Sequence, residues 1–259
     1  MKKAIIICSV LAAIAITIGI ILIIIGGTVG SVRYEDNTFI SQERVEKLKV
    51  SVAAGEANVE FYDGDKVEIA YQTHSKYGFS VSESGGTIEL NQNHIKWFNW
   101  IGFGIARKAP SATVKIPYGL TVDLEVRIGA GSVSIKDGSF GAVKCEVSAG
   151  RLTFGNTVCT SLVTDVSAGS LSVGGVTCGS IDCNISAGSA HFNKVVCDKM
   201  DIDVSAGSAH FSVIGDKADY YISVDKSAGS CNVTNQSGRD ANKKIDIDVS
   251  AGSVSVNFN

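Results

Sequence analysis

Acidic residues recur in this chain in step with a short repeat. Glu146, Asp165, Asp203, Asp225 and Asp248 fall in one column, completed by Asn184, and Asp182, Asp201 and Asp246 fall in a second. Carboxylates stacked at the ~4.8 Å spacing of neighbouring strands repel one another unless a cation bridges them. Calcium is the chemistry that such a ladder suggests. The Gly-rich nine-residue repeat of calcium-binding β-rolls is missing, however, and outward charge also keeps a repeat protein soluble and discourages edge pairing. The columns therefore read as a solvated face, with Asp165, Asp203, Asp225 and Asp248 as the residues to watch.

His191 and His210 repeat within the string Ser-Ala-Gly-Ser-Ala-His-Phe. Stacked imidazoles can hold a metal, but Ser134, Thr153, Ser172, Asn232 and Ser255 fill the same outward position elsewhere, which makes a surface ladder the expectation. Of seven cysteines, Cys159, Cys178 and Cys197 recur at the repeat period, Cys145 and Cys183 are two periods apart, and Cys8 lies in an apolar N-terminal run. That spacing places thiols at equivalent inward positions, where free cysteine packs as a small hydrophobe. Neighbouring rungs also lie within the Cα separations that a disulfide tolerates. No CxxC pair is present, and the Cys and His positions do not match zinc-ligand spacing.

Both tryptophans sit in the segment His94 to Lys108, whose Lys96, Trp97, Phe98, Trp100, Phe103 and Arg107 form a candidate interaction loop. Aromatic and basic residues together suit a membrane interface or an envelope ligand. The same residues could instead plug the first coil of a repeat stack, whose end otherwise exposes apolar core. No nucleophile elbow, HExxH or phosphate loop occurs, and the acids are spread evenly instead of grouped in a cleft with a base. An enzyme is not expected, and neither is a cofactor.

The element that would position these columns is a short repeat. Ser-Ala-Gly occurs with its Ala at 149, 168, 187, 206, 228 and 251; with Ala130-Gly131 ahead of them the spacings are 19, 19, 19, 19, 22 and 23 residues. Ala53-Ala54-Gly55 is an earlier copy. Before each corner, alternate residues point inward: Leu124, Val126 and Ile128, then Val143, Cys145 and Val147, and so on to Ile245, Ile247 and Val249. After each corner an inward pair follows, as in Val133 and Ile135 or Ala209 and Phe211. A period in this range implies stacked units that bury their apolar faces only against neighbours. The expected fold is all-β, a single parallel β-solenoid of about 19 residues per coil, with Gly needed at each corner for a positive φ and Ala for lack of room. In the sixth repeat Lys226 takes an inward position, and a bulge is expected there to restore register.

Ala4 to Ile25 is a 22-residue run without a charge, long enough to cross a hydrocarbon core as a helix and longer than a signal-peptide core. Residues 1–30 read as a transmembrane anchor held by membrane lipid, 31–45 as a juxtamembrane linker and 46–259 as the β-solenoid domain. Within that domain, 46–123 are irregular and 124–259 are regular repeats. Lys2 and Lys3 precede the run, so the N-terminus is expected in the cytoplasm and the rest outside it. Two of the 23 basic residues and none of the 26 acidic ones fall in 1–30, leaving 21 against 26 and a net −5 on the remainder. Nucleic acid is an unfavourable partner for that charge.

The Lys-Lys-led anchor, the strands Thr113-Val114-Lys115-Ile116-Pro117 and Leu124-Glu125-Val126, and the corner-plus-strand Gly131-Ser132-Val133-Ser134-Ile135 together resemble a family of bacterial envelope proteins known as putative adhesins. The resemblance covers residues 46–259 and includes the Trp-rich loop. It implies a β-solenoid head on a single-pass cell-membrane anchor, sometimes associated with envelope stress, and it offers no catalytic residues to transfer. The resulting expectation is a non-catalytic binding or scaffold module with an envelope protein or glycan as partner. Two alternatives accompany it. One is self-association through the coil ending at Asn259, whose Val254, Val256 and Phe258 have no obvious cap; the other is a polysaccharide-degrading β-helix enzyme using Asp201, Asp203 and Asp248.

Overall fold

A computed structural model describes residues 33–74, 77–92, 109–240 and 242–259. The chain there is all-β, with one three-residue helical turn, Lys217–Asp219. The alternation expected from the sequence is realised: Leu124, Val126, Ile128, Val143, Cys145, Val147 and their counterparts up to Val249 are each at most 3% exposed. Each buried aliphatic side chain contributes roughly 1.5–3 kcal/mol, so the inward columns are the main source of stability.

Strands coil around this core on three sides. The front sheet runs Phe79–Ser84, Thr87–Gln92, Lys47–Val52, Asp123–Ile128, Ala142–Val147, Ser161–Val166, 180–185, 199–204, Lys244–Val249 and Tyr221–Lys226. A second sheet collects the strands that follow the corners, and a short third side pairs 138–139, 157–158, 176–177 and 195–196. Through coils 124–192 a residue lies beside the one 19 positions on, as in Leu162 beside Ile181 and Cys178 beside Cys197; the register then shifts between Phe192 and Val195, so that Val195 lies beside Val213.

Pairing is not parallel throughout. Phe79–Ser84 runs antiparallel to Thr87–Gln92, and Glu68–Thr73 runs antiparallel to both Glu35–Ile40 and Ser111–Pro117. The hairpin at Gly85 and Gly86 explains the first reversal, because φ values of 54° and 71° form the tight turn that matches strand twist. Residues 31–45 are more than a linker, since Glu35–Ile40 is a strand of the second sheet.

The coils do not stack in chain order at either end. Thr87–Gln92 and Ser111–Pro117 lie outside Lys47–Val52 and Glu56–Tyr62, which in turn pair with Asp123–Ile128 and Ser132–Ile135. At the other end Lys244–Val249 and Ser253–Phe258 insert between 199–213 and the coil of Tyr221–Lys226. The residues expected to form a free C-terminal edge are thus enclosed, and the outermost rung is Tyr221–Lys226. Lys226 stays in register beside Val249 with no bulge, because on the outermost rung its ammonium reaches water.

The corners also differ from expectation. None of the corner glycines has a positive φ; the positive values belong to Gly85, Gly86, Gly119, Gly215 and the non-glycine Lys194. Gly is required by close stacking, since a Cβ on Gly188 would lie 2.5 Å from the Gly169 carbonyl and 2.6 Å from Val166 Cγ1. The corner alanines face outward and are exposed. Their backbone is held by ladder bonds such as Ala187 N–H to Ser167 O at 2.7 Å.

Candidate functional site

The front sheet presents one continuous outer face, and its charges divide into two halves. Toward the Lys47–Val52 end, oppositely charged side chains interleave. Lys47 bridges Glu125 at 2.9 Å, Lys49 bridges Glu89 at 2.7 Å, and Arg127 reaches Glu125 at 2.9 Å and Glu146 at 3.4 Å. Lys144 adds a second bridge to Glu146 at 3.0 Å. The Lys47 ammonium beside Glu125 holds that carboxyl below the usual range.

Beyond Glu146 the cations thin out to Lys199 and Lys244, register partners at one edge of the face. Asp182, Asp201 and Asp246 stack in register, and Asp165 is followed by Asn184, Asp203, Asp248 and Asp225. Spatial order thus places Asp248 between Asp203 and Asp225. Lys244 bridges Asp246 at 2.6 Å, and Asn184 donates to Asp182 at 2.9 Å. Partial burial, together with neighbouring carboxylates, raises the Asp201 and Asp203 carboxyls above their ordinary values. The four acids singled out from the sequence are all brought onto this face, whereas Glu146 belongs to the neutralised half. Among the described residues no three His, Cys, Asp or Glu side chains converge as a metal would require. The arrangement can attract cationic groups along a flat strip some 4.8 Å per rung, but it builds no cage.

His191 and His210 stack on the second sheet with ring centroids 4.6 Å apart and planes 14° apart, directly outside the buried Phe192–Phe211 stack. His191 Nε2 lies 3.0 Å from Asn193 Oδ1. The interaction-loop residues Lys96, Trp97, Phe98, Trp100, Phe103 and Arg107 lie outside the described residues, as does the apolar run of 1–30. Among the described residues no helix is long and apolar enough to cross a membrane.

The flanks of that loop are described and carry a feature not foreseen. Gln92, 1% exposed, accepts from the backbone N–H groups of Ala54 at 2.9 Å and Gly55 at 2.8 Å, while Pro110 O accepts from Glu56 at 2.9 Å. These groups do for the outermost corner what a neighbouring Ser-Ala-Gly backbone does elsewhere. A side-chain amide replacing a ladder carbonyl leaves no periodic signal, so only the coordinates disclose it. Along the regular corners runs an open groove of about 520 Å³ lined by Ala130, Ala149, Arg151, Ala168 and Ala187 with their glycines.

Three solved structures align with the chain at low identity. A putative lipid binding protein from Parabacteroides distasonis aligns with 15% identity and a TM-score of 0.49, over 86% of this chain and 96% of its own. A putative adhesin from Bacteroides fragilis aligns with 12% identity and a TM-score of 0.48, over 87% of this chain and 97% of its own. A putative cell adhesion protein from Clostridium sporogenes aligns with 12% identity and a TM-score of 0.38, over 88% of this chain and all of its own. No functionally curated protein matches the chain. The family model for Toastrack DUF4097 matches residues 45–259, which hold every strand of the described residues except Glu35–Ile40, and the chain therefore belongs to the Toastrack DUF4097 family.

Proposed function

We propose that this chain is a membrane-tethered, extracytoplasmic β-solenoid that works as a non-catalytic binding or scaffold module of the cell envelope. The observation that carries the reading is the front face itself: one half is neutralised by Lys47, Lys49, Arg127 and Lys144, while the other leaves a strip of aspartates with a single bridging lysine. Such a strip favours a partner that brings positive charge, through complementary potential more than through buried area. Support for the tether comes from the uncharged run Ala4 to Ile25. The described chain then starts on Glu35–Ile40, on the side of the stack where the segment 93–108 leaves and rejoins the outermost coil. The aromatic and basic residues Lys96, Trp97, Trp100 and Arg107 are of the types that suit a membrane interface.

The test uses the full chain in its native membrane. Protease added outside intact cells should release the head, and cross-linking should recover an envelope partner whose yield falls with added salt. Asp201→Asn, Asp203→Asn and Asp248→Asn together should lower that yield at least several-fold, whereas Lys49→Gln should not. Protection of the head in intact cells would overturn the placement; equal recovery from the triple variant would overturn the acidic strip as the contact. Repeating the recovery without residues 96–107 separates the loop's contribution from that of the face.

A further inference from the structure

Cysteines stand on three successive coils where the short third side turns into the front sheet. Cys178 and Cys197 are register partners with their sulfurs 3.8 Å apart. Cys197 donates onward to the Lys199 carbonyl at 3.0 Å, and the Tyr220 hydroxyl donates to the Cys197 carbonyl at 3.0 Å, closing the row on that side. Cys159 holds the equivalent place on the coil before Cys178, its backbone N–H donating to Thr177 O at 3.1 Å. The other buried thiols are arranged differently, for Thr164 stands between Cys145 and Cys183 in their column. Cys159 and Cys178 are 7% and 9% exposed, against 0% for Cys145 and Cys183.

We propose that Cys159, Cys178 and Cys197 form a dithiol–disulfide exchange site that reacts with low-molecular-weight disulfides, the middle thiol closing on either neighbour. Adjacent rungs hold the two Cα atoms at roughly 4.8 Å, inside the range a disulfide spans, so closing the sulfurs to ~2.05 Å is a matter of side-chain rotation. In the first step the thiolate of an outer cysteine, Cys159 or Cys197, attacks one sulfur of the incoming disulfide. Its S–S bond breaks, one thiolate departs and takes up a proton, and a mixed disulfide remains on the protein. Cys178 then gives up its proton and attacks the protein-bound sulfur, expelling the second thiol. Two protein thiols have passed two electrons and two protons to the oxidant, which leaves as two thiols. The remaining outer thiolate can next attack Cys178, moving the bond one coil along without net oxidation.

The local hydrogen bonds suit these roles. Cys178 has a single S–H, donated to Cys197 Sγ and available to one neighbour at a time; hydrogen bonding with it holds the Cys178 thiol up and the Cys159 and Cys197 thiols down. The outer pair is thereby favoured as attacking thiolate and the middle one as the resolving group.

Oxidised glutathione is the probe. The full chain is incubated with it under native conditions, alkylated and digested, and the cross-linked peptides are mapped by mass spectrometry. Both Cys159–Cys178 and Cys178–Cys197 links are expected, with Cys145 and Cys183 recovered alkylated only after denaturation. Cys159→Ser should leave only the second link and Cys197→Ser only the first. Absence of both links in the wild-type chain, or links formed equally with Cys145 and Cys183, would overturn the proposal; because this readout needs no variant, a failure of Cys159→Ser or Cys197→Ser to fold leaves it intact.

Discussion

The backbone N–H of Ala251 donates to the carbonyl of Ser205 at 2.6 Å, although 46 residues separate them and a whole coil, with its own Ser-Ala-Gly, lies between them in the chain. That intervening coil hangs on the far side, where Ala228 N–H donates to Ser250 O at 2.7 Å. Truncation after Lys243 should therefore remove the support of 217–243 as well as the deleted strands. Limited proteolysis is expected to cut throughout 217–243 in the truncated chain while sparing 124–204. A resistant 217–243 in that chain would contradict the pairing order.

Corner glycines should be intolerant of even one added methyl group. Gly188→Ala places a Cβ 2.5 Å from the Gly169 carbonyl, a backbone atom that cannot swing aside. We expect a loss of about 1–3 kcal/mol in chemical denaturation. Ala187→Ser, at the exposed residue just before it, is expected to change stability by less than about 0.5 kcal/mol.

Gln92 should matter more than its composition class suggests. Gln92→Leu leaves the N–H groups of Ala54 and Gly55 without their acceptor in a buried corner. Each orphaned group costs about 1–3 kcal/mol, so thermal unfolding should shift down clearly, and Gln92→Glu, which keeps an oxygen acceptor, should recover part of the loss.

The two halves of the front face should respond to pH in opposite directions. Asp201 and Asp203 carry raised folded-state values, so the folded chain binds their protons first, and their ionisation lowers stability as pH rises through those values. Glu125 is depressed, so its contribution is present above the unfolded value and is lost as pH falls through the folded one. Asp201→Asn is expected to stabilise at pH 7 by about 0.2–1 kcal/mol, with less gain near pH 4. Glu125→Gln should destabilise at pH 7 and be closer to neutral in acid. Denaturant titrations at the two pH values check both.

The inward columns were legible because period two within a strand and period 19 between strands both leave marks in the residue types. Leu162, Thr164 and Val166 could be placed beside Ile181, Cys183 and Ile185 from spacing alone, and the structure bears that register out. Coil order at the ends was not legible, since Tyr221–Lys226 and Lys244–Val249 carry similar alternation and either could follow 199–204. Lys226 was the only hint, because an inward lysine is tolerable where one side of the rung meets water. The acidic columns were visible, but their division was not: Glu146 loses its place among the bare acids only once Arg127 and Lys144 are seen beside it. The corner alanines were misjudged, because a small residue signals a tight interior as readily as an outer bend whose neighbouring glycine meets the next coil.

The reversed order of the two distal coils also sets a schedule for assembly. Synthesis delivers Tyr221–Lys226 before Lys244–Val249, the strand that gives it its native ladder, so until Lys244–Val249 arrives it lacks its native rung. The regular coils can zip up one after another as they appear, each templated by its predecessor. The distal 40-odd residues must instead wait and settle together. Maturation of that tip is then a single late event, and an interrupted chain would be left with a ragged end open to quality-control proteases.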